Sequence, residues 1–147
     1  MDKLKALMER AASNLSKHPV KIRWRAPARA DAKAMCFKHQ SGVAIIDLHP
    51  SFVWSGEDLL DAICHESAHI KQLWYEWSGV PDYASGSIRV SPQANNLSGV
   101  VKMESDADTL AAEWLEYARK HHMEHIEHDG VNSEFSLMFR CLAESDL

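Results

Sequence analysis

Cysteine is scarce in this chain: Cys36, Cys64 and Cys141 are the only three, an odd number at spacings that no cysteine-rich metal site uses. That argues against a disulfide framework and predicts reduced thiols in a cytoplasmic protein. No apolar run approaches the roughly 18 residues that a membrane-spanning helix needs. The opening stretch, MDKLKALMERAASNL, has no uninterrupted apolar segment of the signal-peptide kind, so no membrane association is expected. Basic charge is not in excess either. Sixteen Lys and Arg stand against 21 Asp and Glu, for a net charge of −5, which argues against a protein that coats nucleic acid. Trp74, Trp77 and Trp114 fall at core spacing and Trp24 in a strand pattern, so no platform for stacking bases is indicated. Internal repeats, low-complexity tracts and linkers are absent. The 147 residues, 46% apolar and 25% charged, therefore predict one globular domain over 1–147 rather than a disordered chain.

Leu4, Leu7, Met8, Ala11 and Leu15 recur at helical spacing and predict an amphipathic first helix. His18-Pro19 breaks it. Strands are predicted over Val20–Arg25, Ala32–His39 and Val43–His49, the last two joined as a hairpin through Gln40-Ser41-Gly42. Ser55 is a good N-cap for a helix reaching about Ser78, with Glu57, Asp58 and Asp61 near its positive end and Gly79 and Pro81 beyond it. A long loop over 79–99 follows, with a short strand predicted at Ser87–Val90. A second long helix is predicted over Ser98–His122, where Met103, Ala107, Leu110, Trp114 and Tyr117 make a core-facing stripe. A last helix is predicted over Ser133–Ala143. Helix, strands, helix, helix is the order of an α+β domain.

Seven basic residues lie between Lys17 and Lys38, against the single acid Asp31. In VKIRWR, Val20, Ile22 and Trp24 alternate with Lys21, Arg23 and Arg25, so these charges read as a solvated strand face. The alternative is that segment 17–38 docks an acidic partner.

One carboxylate is out of place. Leu59, Ile63, Glu66, Ile70, Leu73 and Trp77 form a continuous stripe on the first long helix, and Glu66 is its only charged member. An unpaired buried carboxylate costs several kcal/mol, and a nearby divalent cation would offset that. His65 and His69 are one turn apart, about 6 Å along the axis, so both rings can reach one zinc ion at roughly 2 Å. Glu66 projects about 100° around the helix from His65, placed to hold a water rather than to bind the ion itself. This is the H-E-x-x-H arrangement, in which the glutamate serves as general base. The competing reading is a pair of surface histidines with an incidental acid between them.

A catalytic zinc usually takes three protein ligands and keeps one open position. No histidine lies between Ile70 and Lys120, and position 75 is Tyr75, which excludes the metzincin pattern. Glu76 is about 10 Å beyond His69 along the helix, too far to reach the ion. In VVKMESDADTLAAEWL, Glu104 and Asp108 stand one turn apart beside the apolar stripe. Glu104 is the expected third ligand, and Asp108 the acceptor for the second N–H of one histidine. Asp106 falls on a different face. The alternative for Glu104 and Asp108 is a solvated acidic start to a helix.

HESAH at 65–69 followed by ESDADTLAAEWL at 104–115 resembles the gluzincin pattern, H-E-x-x-H with a later E-x-x-x-D. More narrowly, Glu104, Ala107, Asp108 and the small pair Ala111-Ala112 resemble the second motif of the small ImmA/IrrE-type metallopeptidases. The approach segment AIIDLHPSFVWSGEDLLDAI is also similar, so the resemblance covers Val43 to Leu115. It implies a zincin-like minimal metallopeptidase domain, with a small mixed or antiparallel sheet packed on the motif helix and a second, glutamate-bearing helix. It further implies one Zn2+ per chain and a protein or peptide substrate.

On this reading zinc is held by His65, His69 and Glu104, and Glu66 deprotonates the attacking water and passes the proton to the leaving amine. Tyr83 and Arg89, or a histidine after residue 120, are candidates for stabilising the oxyanion. Strand Val43–His49, if at the sheet edge, would pair with an extended peptide. The alternative function is a non-catalytic zinc-binding regulatory module on the same fold, with the basic strand as its interaction face. HHMEHIEH sets His121 and His125, and Glu124 and His128, one turn apart, which reads either as a polar helix end or as a second metal site.

Overall fold

The computed structural model describes residues 2–29, 31–76, 81–82, 87–88, 97–126 and 133–147. Helix α1 (Asp2–Ser16) leads into β1 (Val20–Trp24), β2 (Ala34–Lys38) and β3 (Ala44–Leu48). Then come α2 (Gly56–Glu76), the two-residue strands β4 (Pro81–Asp82) and β5 (Ser87–Ile88), α3 (Leu97–His121), a 3-10 turn at His122–His125, and α4 (Glu134–Ala143). The architecture is α+β, with a small mixed sheet. Among the described residues no helix is long and apolar enough to cross a membrane.

Local chemistry explains the boundaries. Lys17 takes the left-handed conformation (φ 61°) that ends α1, and Pro19 keeps the chain extended into β1. Gly42 (φ 94°) closes the β2–β3 hairpin, where its N–H donates to the His39 carbonyl at 2.9 Å. At the start of α2 the Ser55 hydroxyl accepts from the Asp58 N–H at 3.0 Å, while the Asp58 carboxylate accepts from the Ser55 N–H at 3.2 Å. That reciprocal pair is a capping box with aspartate in the glutamate position. Ser133 caps α4 in the simpler way, accepting from the Ser136 N–H.

The sheet order is β1-β3-β2, with β1 parallel and β2 antiparallel to β3. This corrects the expectation for segment Val43–His49: β3 is the central strand, paired on both sides, and has no edge to offer a peptide. The outer edge of β1 is closed as well, because Ser13 and Glu9 of α1 accept from the Val20 and Ile22 N–H groups at 3.0 and 2.8 Å. Strand β2 forms the other edge. Ala44, Ile46 and Leu48 point into the core formed with α1, α2, α3 and α4, where Met8, Leu15, Leu60, Ile63, Phe139 and Leu142 are fully buried.

On the far face of the sheet Asp47 is buried (5% exposed) opposite Arg23. Arg23 donates from Nε and Nη2 to the two Asp47 oxygens at 2.7 and 3.0 Å, and its guanidinium lies over the Phe37 ring. The basic face of β1 is therefore not wholly solvated: Lys21 and Arg25 are exposed, but Arg23 is structural.

Arg23→Ala should cost about 2–3 kcal/mol, the penalty for orphaning a buried carboxylate, reduced because Arg23 itself is partly exposed. Arg23→Lys should recover only part of that, since a single ammonium cannot satisfy both oxygens. Urea unfolding measures both, and a loss under about 0.5 kcal/mol for the alanine variant would show the pair to be surface-like.

Candidate metal centre

The site lies where α2 and α3 cross the end of β2. Contacts run in opposite directions along the two helices: Glu57 with Arg119, His65 with Asp108, His69 with Glu104, and Gln72 with Met103. The helices are thus antiparallel neighbours. The stripe anticipated on α2 is seen at Leu59, Ile63, Glu66 and Ile70, all buried. On α3, Ala107, Ala111 and Trp114 are buried in the same way.

The two histidine rings stand edge to face with centroids 4.6 Å apart, and their Nε2 atoms approach to 3.0 Å. Glu104 crosses over from α3 to meet both, with Oε2 at 3.3 Å from His65 Nε2 and Oε1 at 3.1 Å from His69 Nε2. Behind the rings, His65 Nδ1 faces Asp108 Oδ1 at 3.1 Å and His69 Nδ1 faces Gln72 Oε1 at 3.1 Å. With each Nδ1–H donated outward, each Nε2 presents a lone pair inward, toward the other ring and toward the Glu104 carboxylate. Four acceptor atoms then face one another with no hydrogen between them, an arrangement that a cation at their centre would resolve. The donor set of two imidazoles and one carboxylate suits zinc chemically.

Glu66 completes the group. One of its oxygens lies within 4.8 Å of a ring nitrogen of each histidine, yet Oε2 is buried with no hydrogen-bond partner among the described residues. Burial, with the Glu104 charge adding to it, pushes the Glu66 carboxyl up to about 8. Burial also lowers the His69 ring below its ordinary value, although Glu104 opposes this. Glu66 is therefore a carboxyl poised to exchange a proton near neutral pH.

These side chains line a cleft of about 650 Å³ walled on one side by Ala34, Met35 and Cys36 of β2. The cleft also reaches Arg29 and Lys33, so the basic segment contributes to its rim. Sequence reasoning placed Glu66, His65, His69, Glu104 and Asp108 together, and the structure brings all five into one site. It missed Gln72, whose only signal was its position one helical turn beyond His69. Tyr83 and Arg89 lie outside the described residues, as does His128. Elsewhere in that last cluster the rings go to separate partners. His121 meets Glu124 at 3.1 Å, His125 meets Glu144 at 2.9 Å, and His122 meets the Ala118 carbonyl at 3.0 Å, so no second centre forms among the described residues.

No protein-family model, no curated protein and no solved structure matches the chain.

Without metal, Glu66 should make stability fall with rising pH. The unfolded chain releases that proton near 4.5 and the folded chain near 8, so between them the folded state holds the extra proton. His69 acts the opposite way, but only below its unfolded value of 6.5, above which both states are neutral. Between pH 6.5 and 8 Glu66 therefore acts alone, and the unfolding free energy should drop by about 2 kcal/mol. Urea unfolding in the presence of a chelator should show that slope in the wild type and a flat profile in Glu66→Gln.

Proposed function

We propose that this protein is a zinc-dependent metallopeptidase with a zincin-like domain, hydrolysing peptide bonds of a protein or peptide substrate. The observation that carries this is the convergence of His65 Nε2, His69 Nε2 and both Glu104 oxygens within 3.0–3.3 Å contacts, beside a buried carboxylate whose Oε2 has no hydrogen-bond partner among the described residues. His65, His69 and Glu104 would hold the ion. Zinc bound there would polarise a substrate carbonyl and lower the pKa of water from about 15.7 toward 7.

The chain's own residues supply the rest. Glu66 takes the proton from the attacking water and returns it to the leaving amine. Its burial keeps it in one position and makes its charged form costly, so it accepts a proton readily. Asp108 orients His65 by accepting from Nδ1–H, and Glu104, half-exposed at the cleft, leaves room for substrate on its open side. An extended peptide would lie along β2. That strand borders the cleft, whereas the outer edge of β1 is capped by α1. A module that bound metal only for structure would gain nothing from the penalty of burying Glu66, and this favours turnover over passive binding.

Metal analysis and a proteolysis assay on an unstructured protein test this together. Wild type and Glu66→Gln should each bind one zinc per chain, and Glu66→Gln should lose at least about a hundredfold in cleavage rate. Glu104→Ala should lose zinc, and Asp108→Ala should bind it about 10–100-fold more weakly. Absence of zinc in the wild type, or equal cleavage by wild type and Glu66→Gln, would refute the assignment.

A further inference from the structure

Gln72 is half-buried one turn beyond His69, and its amide makes two contacts. Oε1 faces His69 Nδ1 at 3.1 Å, and Nε2 donates to the Met103 carbonyl at 3.0 Å. The two contacts are not independent. A main-chain carbonyl can only accept, so the amide must turn its NH2 toward Met103, which leaves its oxygen for His69. An amide oxygen also only accepts. His69 Nδ1 must therefore carry the hydrogen, and Nε2 is left with a free lone pair.

Glu104 competes for that hydrogen. Its Oε1 lies 3.1 Å from His69 Nε2 and would accept an N–H there equally well. At Nδ1 the ring meets the Gln72 oxygen, and at Nε2 it meets both Glu104 Oε1 and His65 Nε2. The tie to Met103 weighs for Nδ1, because it keeps the Gln72 amide from flipping to present its NH2 to the ring.

The geometry points to Gln72 as a positioning residue that selects the His69 tautomer by sensing the register of α3 at Met103. This rests on the metal-binding function proposed above, in which His69 must keep Nε2 unprotonated. Met103 immediately precedes Glu104, so the bond that orients a ligand on α2 also reports that the ligand on α3 is in place. If α3 slides along α2, the carbonyl leaves Gln72, the amide turns, and the ring hydrogen moves to the nitrogen that should bind metal. Ligand orientation and helix docking become one event.

Nitrogen-15 NMR of the metal-free chain at pH 8 tests this, with His69→Asn used to assign the ring signals. In the wild type the hydrogen should reside on Nδ1. In Gln72→Ala it should move to Nε2, and zinc affinity measured against a chromophoric chelator should fall about 10–100-fold. Gln72→Glu keeps an oxygen facing Nδ1, so it should hold the hydrogen there and keep zinc affinity within about threefold of wild type, since a carboxylate is the usual partner of a ligating histidine. A residue that merely packs would change stability without moving a ring hydrogen. Wild-type hydrogen on Nε2, or a tautomer indifferent to residue 72, overturns the inference. If the tautomer responds as described but the wild type binds no zinc, the metal assignment fails while Gln72 still positions the ring. If zinc binds and the tautomer ignores residue 72, the reverse holds.

Discussion

Helices α2 and α3 lie side by side in opposite directions, and that contact brings Glu104 and Asp108 of α3 up to His65 and His69 of α2. Two imidazoles come from α2 and one carboxylate from α3. The small buried residues Ala107, Ala111 and Ala118 let α3 pack closely against its neighbours. The exposed Glu57–Arg119 pair (2.6 Å) marks the end remote from the site, where water makes it worth little, so apolar packing between these ends does most of the holding. A shift of one residue in that packing would carry Glu104 away from both rings.

Glu66 is the cost of this design. It occupies a place in the core stripe that a leucine would fill with net gain, and its buried Oε2 has no partner among the described residues. The fold tolerates this because Leu59, Ile63 and Ile70 on the same face are buried and together contribute roughly 5–9 kcal/mol. That is enough to offset a penalty of several kcal/mol for one carboxylate. Under the proposed function, a residue that lowers stability while remaining firmly held is what a proton-transfer group requires. The helix is well packed around Glu66, and the surrounding residues absorb the strain in energy.

Much of this could be read from the sequence, and the reasons are specific. The four-three spacing of Leu59, Ile63, Glu66 and Ile70 exposed Glu66 as an anomaly, and helical geometry alone put His65 and His69 on one side. Glu104 and Asp108 were accessible because metal chemistry demands a third donor and few candidates existed. Strand order was not accessible. Three apolar strands of five residues give no indication of which becomes central, and β3 takes that place through pairings with both neighbours that depend on tertiary packing. Arg23 was misjudged for a related reason: alternation placed it on the outer face, but its partner Asp47 is on a different strand. Gln72 escaped notice because a glutamine one turn past a histidine is unremarkable until a carbonyl from another helix appears beside it.

Strand β1 shows how a short helix can act as a shield. Its outward amides would ordinarily invite another chain to extend the sheet, as the unpaired edge of any strand does. Ser13 and Glu9 of α1 occupy those donors instead, so recruitment of neighbouring molecules through this border is suppressed at the level of individual N–H groups. The amphipathic N-terminal segment thus serves solubility as well as the core, and fraying of its middle turns would turn an intramolecular seam into a sticky rim.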